Sequence, residues 1–137
     1  MPMQLRGKRI FVVEDNMDNR VVYQLIFTRE GAMVDFERWG PGAISQLKRF
    51  RPVDLIILDL MLARGASGYA LFQDIRALPE FDDVPIIAVS SADPGEAIYR
   101  TRALGFSGYI AKPIDHHLFP EQIQRIMQGE FVWHEGQ

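Results

Sequence analysis

The stretch Asp54-Leu55-Ile56-Ile57-Leu58-Asp59-Leu60-Met61-Leu62 is almost wholly apolar, with a carboxylate set inside it. Leu55 to Leu58 fit a strand covered on both faces, as the strands of a parallel sheet are. Burying an unpaired carboxylate is costly. Asp59 is therefore expected just past the strand's carboxyl end, where ligands reach an open α/β sheet. It is the candidate reactive group.

The rest of the chain repeats that grammar. Ile10-Phe11-Val12-Val13 is a second apolar run, and it too ends in acid, Glu14-Asp15-Asn16. A helix pattern follows, capped by Asn16 or Asp18, with Val21, Val22, Leu25 and Ile26 as its inner stripe and Gly31 at its end. Met33 to Glu37 alternate, as an edge-like strand does, and Trp39-Gly40-Pro41-Gly42 is a turn. Ala43, Ile44, Leu47 and Phe50 recur at helical spacing until Pro52. After the central strand comes a loop of small residues, 63–68, then a helix marked by Leu71, Phe72, Ile75 and Leu78. Pro85 to Ser91 forms a fourth strand ending in two hydroxyls. Asp93-Pro94-Gly95-Glu96 opens a helix with a cap, a proline at its first position and an acid in its first turn. That helix has a thin inner stripe, Ile98, Leu104 and alanines, which suits a mobile element. Gly108 to Ala111 is a fifth strand, running into Lys112-Pro113. Ile123, Ile126 and Met127 mark a last helix, and residues 129–137 form a tail whose Phe131, Val132 and Trp133 pack back on the domain or form a dimer contact.

Strand followed by helix, five times over, predicts one α/β domain: a doubly wound parallel sheet with helices on both faces and right-handed crossovers. At 137 residues, 47% hydrophobic and 24% charged, the chain suits a single globular core. A net charge of -3 with no basic run argues against nucleic acid. Cysteine is absent, so thiolate chemistry and disulfides are excluded, as fits the cytoplasm. No apolar run approaches the roughly 18 residues of a membrane span.

This order brings Glu14, Asp15, Asp59, Ser90 and Lys112, from the ends of four strands, to one rim. Clustered carboxylates repel unless a hard cation sits among them, and an all-oxygen donor set favours Mg²⁺. Asp carboxylates form aspartyl phosphates, and a phosphoryl group in transit needs a metal, a cationic side chain and hydrogen-bond donors. Lys112 supplies the cation and Ser90 a hydroxyl. The adjacent His116 and His117 are expected to face solvent rather than a metal.

With Glu14-Asp15, Asp59 in Leu-Asp-Leu-Met-Leu, Ser90 after Pro-Ile-Ile-Ala-Val and Lys112-Pro113 after Gly-Tyr-Ile-Ala, the chain resembles a response-regulator receiver domain of two-component signalling over about residues 8–128. The resemblance is to single-domain, chemotaxis- or phosphorelay-type members. It implies a flavodoxin-like five-stranded order 2-1-3-4-5, with 129–137 as a C-terminal tail. It implies Asp59 as phosphoacceptor, paired with Lys112, and Mg²⁺ held by Glu14, Asp15, Asp59 and the backbone carbonyl of Met61. Ser90 would swing to the phosphoryl oxygen and Tyr109 would rotate inward behind it. The peptide before Pro113 is typically cis in this family. The implied partners are a histidine kinase or histidine phosphotransfer protein and a downstream protein on the face of the fourth helix, fifth strand and fifth helix. The chain would be a monomer or weak homodimer, a signalling switch rather than a conventional enzyme. Only about nine residues follow the last helix, so a stand-alone receiver is expected rather than a transcription factor.

Departures lie beside the site. The family usually has Pro four residues after the phosphoacceptor and Gly eight after it; here those positions are Ala63 and Ser67, and Gly68 falls one late. The loop is expected to be one residue longer, with Arg64 placed to recognise a kinase or the phosphoryl group. Met61 and Ala92 cannot orient an attacking water, so a long-lived phosphoryl group is expected. The alternative reading is a receiver-like scaffold that is not phosphorylated. A haloacid-dehalogenase-type phosphatase would need Asp at position 61, where Met stands. A dinucleotide-binding protein would need a glycine-rich turn where Glu14-Asp15-Asn16 stands.

Overall fold

The computed structural model describes residues 4–38, 42–62 and 65–136. The turn expected at Trp39-Gly40-Pro41, and the loop residues Ala63 and Arg64, lie outside the described residues. Strands β1 (Arg9–Val13), β2 (Met33–Glu37), β3 (Leu55–Leu58), β4 (Ile86–Ser90) and β5 (Gly108–Ala111) alternate with helices α1 (Met17–Arg29), α2 (Ala43–Arg49), α3 (Gly68–Arg76), α4 (Pro94–Leu104) and α5 (Phe119–Met127). A short 3-10 turn, Pro79–Phe81, separates α3 from β4.

The sheet corrects one expectation. Among the described residues it has six strands, not five, in the order β2-β1-β3-β4-β5-β6, and every pairing of these strands is parallel. The sixth, β6 (Val132–His134), comes from the segment read as a tail, and lies on β5 with Gly108, Tyr109 and Ile110 opposite Val132, Trp133 and His134. The chain packs back, as one of the two expectations for this segment had it, by joining the sheet.

Alternating strand residues divide the core into two layers. Phe11, Val13, Ile56, Leu58, Ile86, Ala88 and Tyr109 face α2, α3 and α4 through Leu47, Leu71, Phe72, Ile75 and Ala97. Ile10, Val12, Leu55, Ile57, Ile87, Val89 and Ile110 face α1 and α5 through Tyr23, Ile26, Phe27, Phe119, Ile123 and Ile126. β1, β3, β4 and β5 are buried almost throughout because both of their faces are covered.

Helix α1 starts where the sequence indicates, with the Asn16 side chain accepting from the Asn19 amide at 2.9 Å. Its inner face differs from the expected one. Tyr23, Ile26 and Phe27 are buried, whereas Val21 and Leu25 are 54% and 57% exposed and form, with Met17, an outward apolar stripe. The aromatic pair decides the rotation: Tyr23 and Phe27 both pack on Phe119 of α5, and two large rings bury more area than Val and Leu. Helix α4 is capped by Asp93, which accepts from the Glu96 amide, and Gly105 ends it in the left-handed region. Only Ala97 and Thr101 of α4 are buried, so its thin packing is real, although Ile98 and Leu104 reach only half-burial.

Candidate functional site

Parallel register carries the charged residues to one rim. The amides just past three strands continue the ladder: Glu14 N–H donates to Glu37 O (3.0 Å), Asp59 N–H to Val13 O (3.3 Å) and Lys112 N–H to Ser90 O (2.9 Å). Each polar side chain is therefore placed by backbone rather than by loop.

Lys112 is the hub. Its Nζ donates to Asp59 Oδ2 at 2.8 Å and to Glu14 Oε1 at 2.9 Å. Asp59 Oδ1 accepts from the Ser90 hydroxyl at 3.0 Å and from the Met61 amide at 3.0 Å. Glu14 Oε2 accepts from the Asn16 amide. Glu14, Asp59 and Ser90 are buried, at 3%, 8% and 0% exposure, so the carboxylates need these partners. Burial works to lower the Lys112 pKa. The hydrogen bonds and negative charges of Asp59 and Glu14 outweigh it and leave the ammonium more firmly protonated than usual.

Sequence reasoning paired Lys112 with Asp59 and missed its second bond to Glu14. It gave no role to Arg20, whose Nε donates to the Glu14 backbone carbonyl at 2.8 Å, or to Asp115, whose carboxylate accepts from the His117 and Leu118 amides ahead of α5. Arg20, six residues after Glu14, was legible as a helical neighbour of the acidic pair. Asp115 had the signature of a cap before Phe119-Pro120. His116 and His117 are exposed. The Lys112–Pro113 peptide is cis, as is Arg51–Pro52.

Tyr109 is already inward. It is fully buried, and its hydroxyl donates to the carbonyls of Ser90 (3.2 Å) and Ala92 (3.0 Å). Burial pushes its pKa up to about 12. Between the usual tyrosine value of about 10 and that raised value, the unfolded chain gives up a proton that the folded one retains. Stability is therefore present in full below the lower value and lost as pH rises through the window; the raised pKa of Lys112 acts in the same sense. Thermal melts across this range should fall, and a Tyr109→Phe variant should fall less steeply. Parallel falls for the two proteins would rule out Tyr109 as a contributor.

Leu62 N–H donates to Ala66 O, Met61 bridges Ser67, and Gly65 takes a positive φ of 73°. Ser67 then caps α3 by accepting from the Tyr69 amide. Gly68 presses on the backbone just past β3: a Cβ there would run into the Asp59 carbonyl oxygen.

Two clefts flank Lys112. One, about 390 Å³, lies between α1 and the loop after β5, against Asn19, Val22 and Ile114. The other, about 460 Å³, is bounded by Ser90, Ser91 and Lys112 on one side and by His134, Glu135 and Gly136 on the other.

The model for the response regulator receiver domain matches residues 10–124. The chain belongs to that family. It is 30% identical to the polar-differentiation response regulator DivK of Brucella anthropi over 85% of this chain and 94% of that one. It is 34% identical to the phosphate regulon transcriptional regulatory protein PhoB of Rhizobium meliloti over 86% of this chain and 50% of PhoB. The chain thus spans nearly all of DivK and about half the length of several curated transcriptional regulators that it matches. Among solved structures it is similar to the receiver domain of a sensor histidine kinase from Pseudomonas aeruginosa, which has a magnesium ion coordinated in its active site cleft. That likeness has a TM-score of 0.75 and 28% identity, and covers 90% of this chain and 99% of the other. Receiver domains are signalling switches rather than conventional enzymes, and this receiver has their α/β architecture with a strand added.

The donor chemistry at the rim fits a hard cation: Glu14, Asp15, Asp59 and the Met61 carbonyl are all oxygen donors. Among the described residues no three acidic or histidine side chains form a ready-made cage. No helix among the described residues is long and apolar enough to cross a membrane.

Proposed function

We propose that this receiver accepts a phosphoryl group on Asp59 from a phosphohistidine of a histidine kinase or phosphotransfer protein, and passes the signal on by protein contacts or by relay of the group. The observation that carries this reading is the grip on Asp59, with Lys112 Nζ on one oxygen and Ser90 Oγ on the other. Glu14, Asp15, Asp59 and the Met61 carbonyl would hold Mg²⁺, which supplies charge neutralisation at the phosphoryl oxygens.

An Asp59 oxygen attacks phosphorus and forms the O–P bond while the P–N bond to the donor imidazole breaks. Lys112, already protonated, moves its hydrogen bond to a phosphoryl oxygen, and Ser90 turns its hydroxyl to another. Hydrogen bonds to developing charge are what such a step needs from the protein. The product adds about -1.5 to -2 charges at one point, enough to bias a thinly packed element such as α4 between two packings. The exposed stripe Met17, Val21 and Leu25 on α1, at helical spacing beside the rim, suits a helix of the donor protein. Because β6 covers β5, a downstream protein would read α4, β6 and α5 rather than a bare β5 edge.

Intact-protein mass after incubation with Mg²⁺ and acetyl phosphate tests the reading. One phosphoryl adduct is expected, lost with EDTA and absent from Asp59→Asn. No adduct on the parent, from acetyl phosphate or from a phosphorylated phosphotransfer protein, would overturn it in favour of an unphosphorylated scaffold.

A further inference from the structure

The sheet edge and the reactive rim share a residue, Tyr109. Its hydroxyl bonds tie it to Ser90 and Ala92, and hence to the segment that carries the Ser90 hydroxyl onto Asp59. Its backbone pairs with Trp133 of β6. Opposed residues of a parallel pair share a face, and Trp133 packs against the same core layer as Tyr109. The indole is held from its outer side by the Arg102 guanidinium of α4, 5.3 Å from the ring, and by the stacked ring of Phe131.

The sequence is also built for this approach. Gly108 lies so close to β6 that an added Cβ would sit 2.6 Å from the Val132 carbonyl oxygen. Gly129, at a φ of 99°, turns the chain out of α5 towards β5. Val132 is buried, and its amide donates to Ser107 O at 3.3 Å. Yet β6 is only three residues long and lies at the edge, so its opening frees little of the core.

We propose that β6 is a separable clasp: with Trp133 seated over the β5 edge it holds Tyr109 in its buried position, so that release of the strand frees the tyrosine and the Ser90 segment bonded to it. A partner that grips β6 would thereby act on the reactive rim from the sheet edge. The inference rests on the edge geometry and requires no phosphoryl group, so it stands or falls apart from phosphotransfer.

The test uses the full chain labelled with 3-fluorotyrosine, its four tyrosine signals assigned by single Tyr→Phe changes. A soluble paramagnetic agent then reports solvent access. Tyr99 is 78% exposed and Tyr23 1% exposed, giving an open and a closed reference. In the parent, Tyr109 should be as protected as Tyr23. In Trp133→Ala, and separately in Gly108→Ala, which pushes on the Val132 carbonyl from the β5 side, Tyr109 should lose its protection while Tyr23 keeps it. Persistent protection of Tyr109 in both variants would overturn the proposal. Loss at Tyr23 and Tyr109 together would also overturn it, by showing that β6 opens only with the whole core.

Discussion

Replacing Lys112 with alanine is expected to lower the melting temperature substantially, and Mg²⁺ is expected to recover part of the loss. The ammonium is the shared partner of Glu14 and Asp59, whose side chains are only 4% and 10% exposed. Removing it leaves two buried carboxylates facing one another. Breaking a buried pair in this way costs about 3 kcal/mol or more, because an uncompensated charge remains. For a domain of this size that is a drop on the order of 10 °C. Asp59→Asn in the same background removes one of the opposed charges and should recover part of the stability, so the two changes should be strongly non-additive in a double-mutant cycle. Thermal melts of the four proteins, with and without Mg²⁺, read this out. Simple additivity would mean that the three groups do not share charge as their distances imply.

Gly68→Ala, at the first residue of α3, should be a strongly damaging single methyl. The methyl would strike the Asp59 carbonyl oxygen and come within 3.0 Å of Leu60 Cα. Both are backbone atoms of the segment that leaves the central strand, so no flexible side chain can give way. The Gly68 amide also donates to Leu60 O, which fixes the approach. A cost of about 3 kcal/mol is expected, at the upper end of overpacking, together with displacement of Asp59 and slower phosphotransfer. Gly65→Ala is the contrast. Its Cβ would meet open space, and only the positive φ of 73° opposes it, worth about 1 kcal/mol. Urea unfolding of both variants decides between the two effects. A larger loss at Gly65 would show that the loop yields where the strand was expected to resist.

Much of the site was legible because the physics there is local to each strand end. An apolar run that stops at an acid, a hydroxyl or a lysine says where the strand leaves the core, and parallel topology gathers those ends. Asn16 and Asp93 were readable as caps for the same local reason. The face of α1 was not. Val21, Val22, Tyr23, Leu25, Ile26 and Phe27 offer two overlapping stripes, and only tertiary contact of Tyr23 and Phe27 with Phe119 chooses between them. Strand β6 escaped because three residues between Gly129 and Gly136 carry no periodicity; its signal was Gly108, whose meaning depends on what lies beside it in space. The Lys112–Glu14 bond joins residues 98 apart in the sequence and could be read only as convergence on a rim, not as a pair.

The parallel direction of β6 has a consequence for chain routing. After α5 the polypeptide stands at the end of the sheet away from Asp59, and β6 carries it back. Glu135 and Gly136 come to rest across the cleft from Ser90 and Lys112. A polypeptide joined after this point, as in an engineered fusion, would set off from the reactive rim and be delivered beside it. A reporter fused there would sense events at Asp59 at close range, and a bulky one would crowd the approach of a phosphodonor.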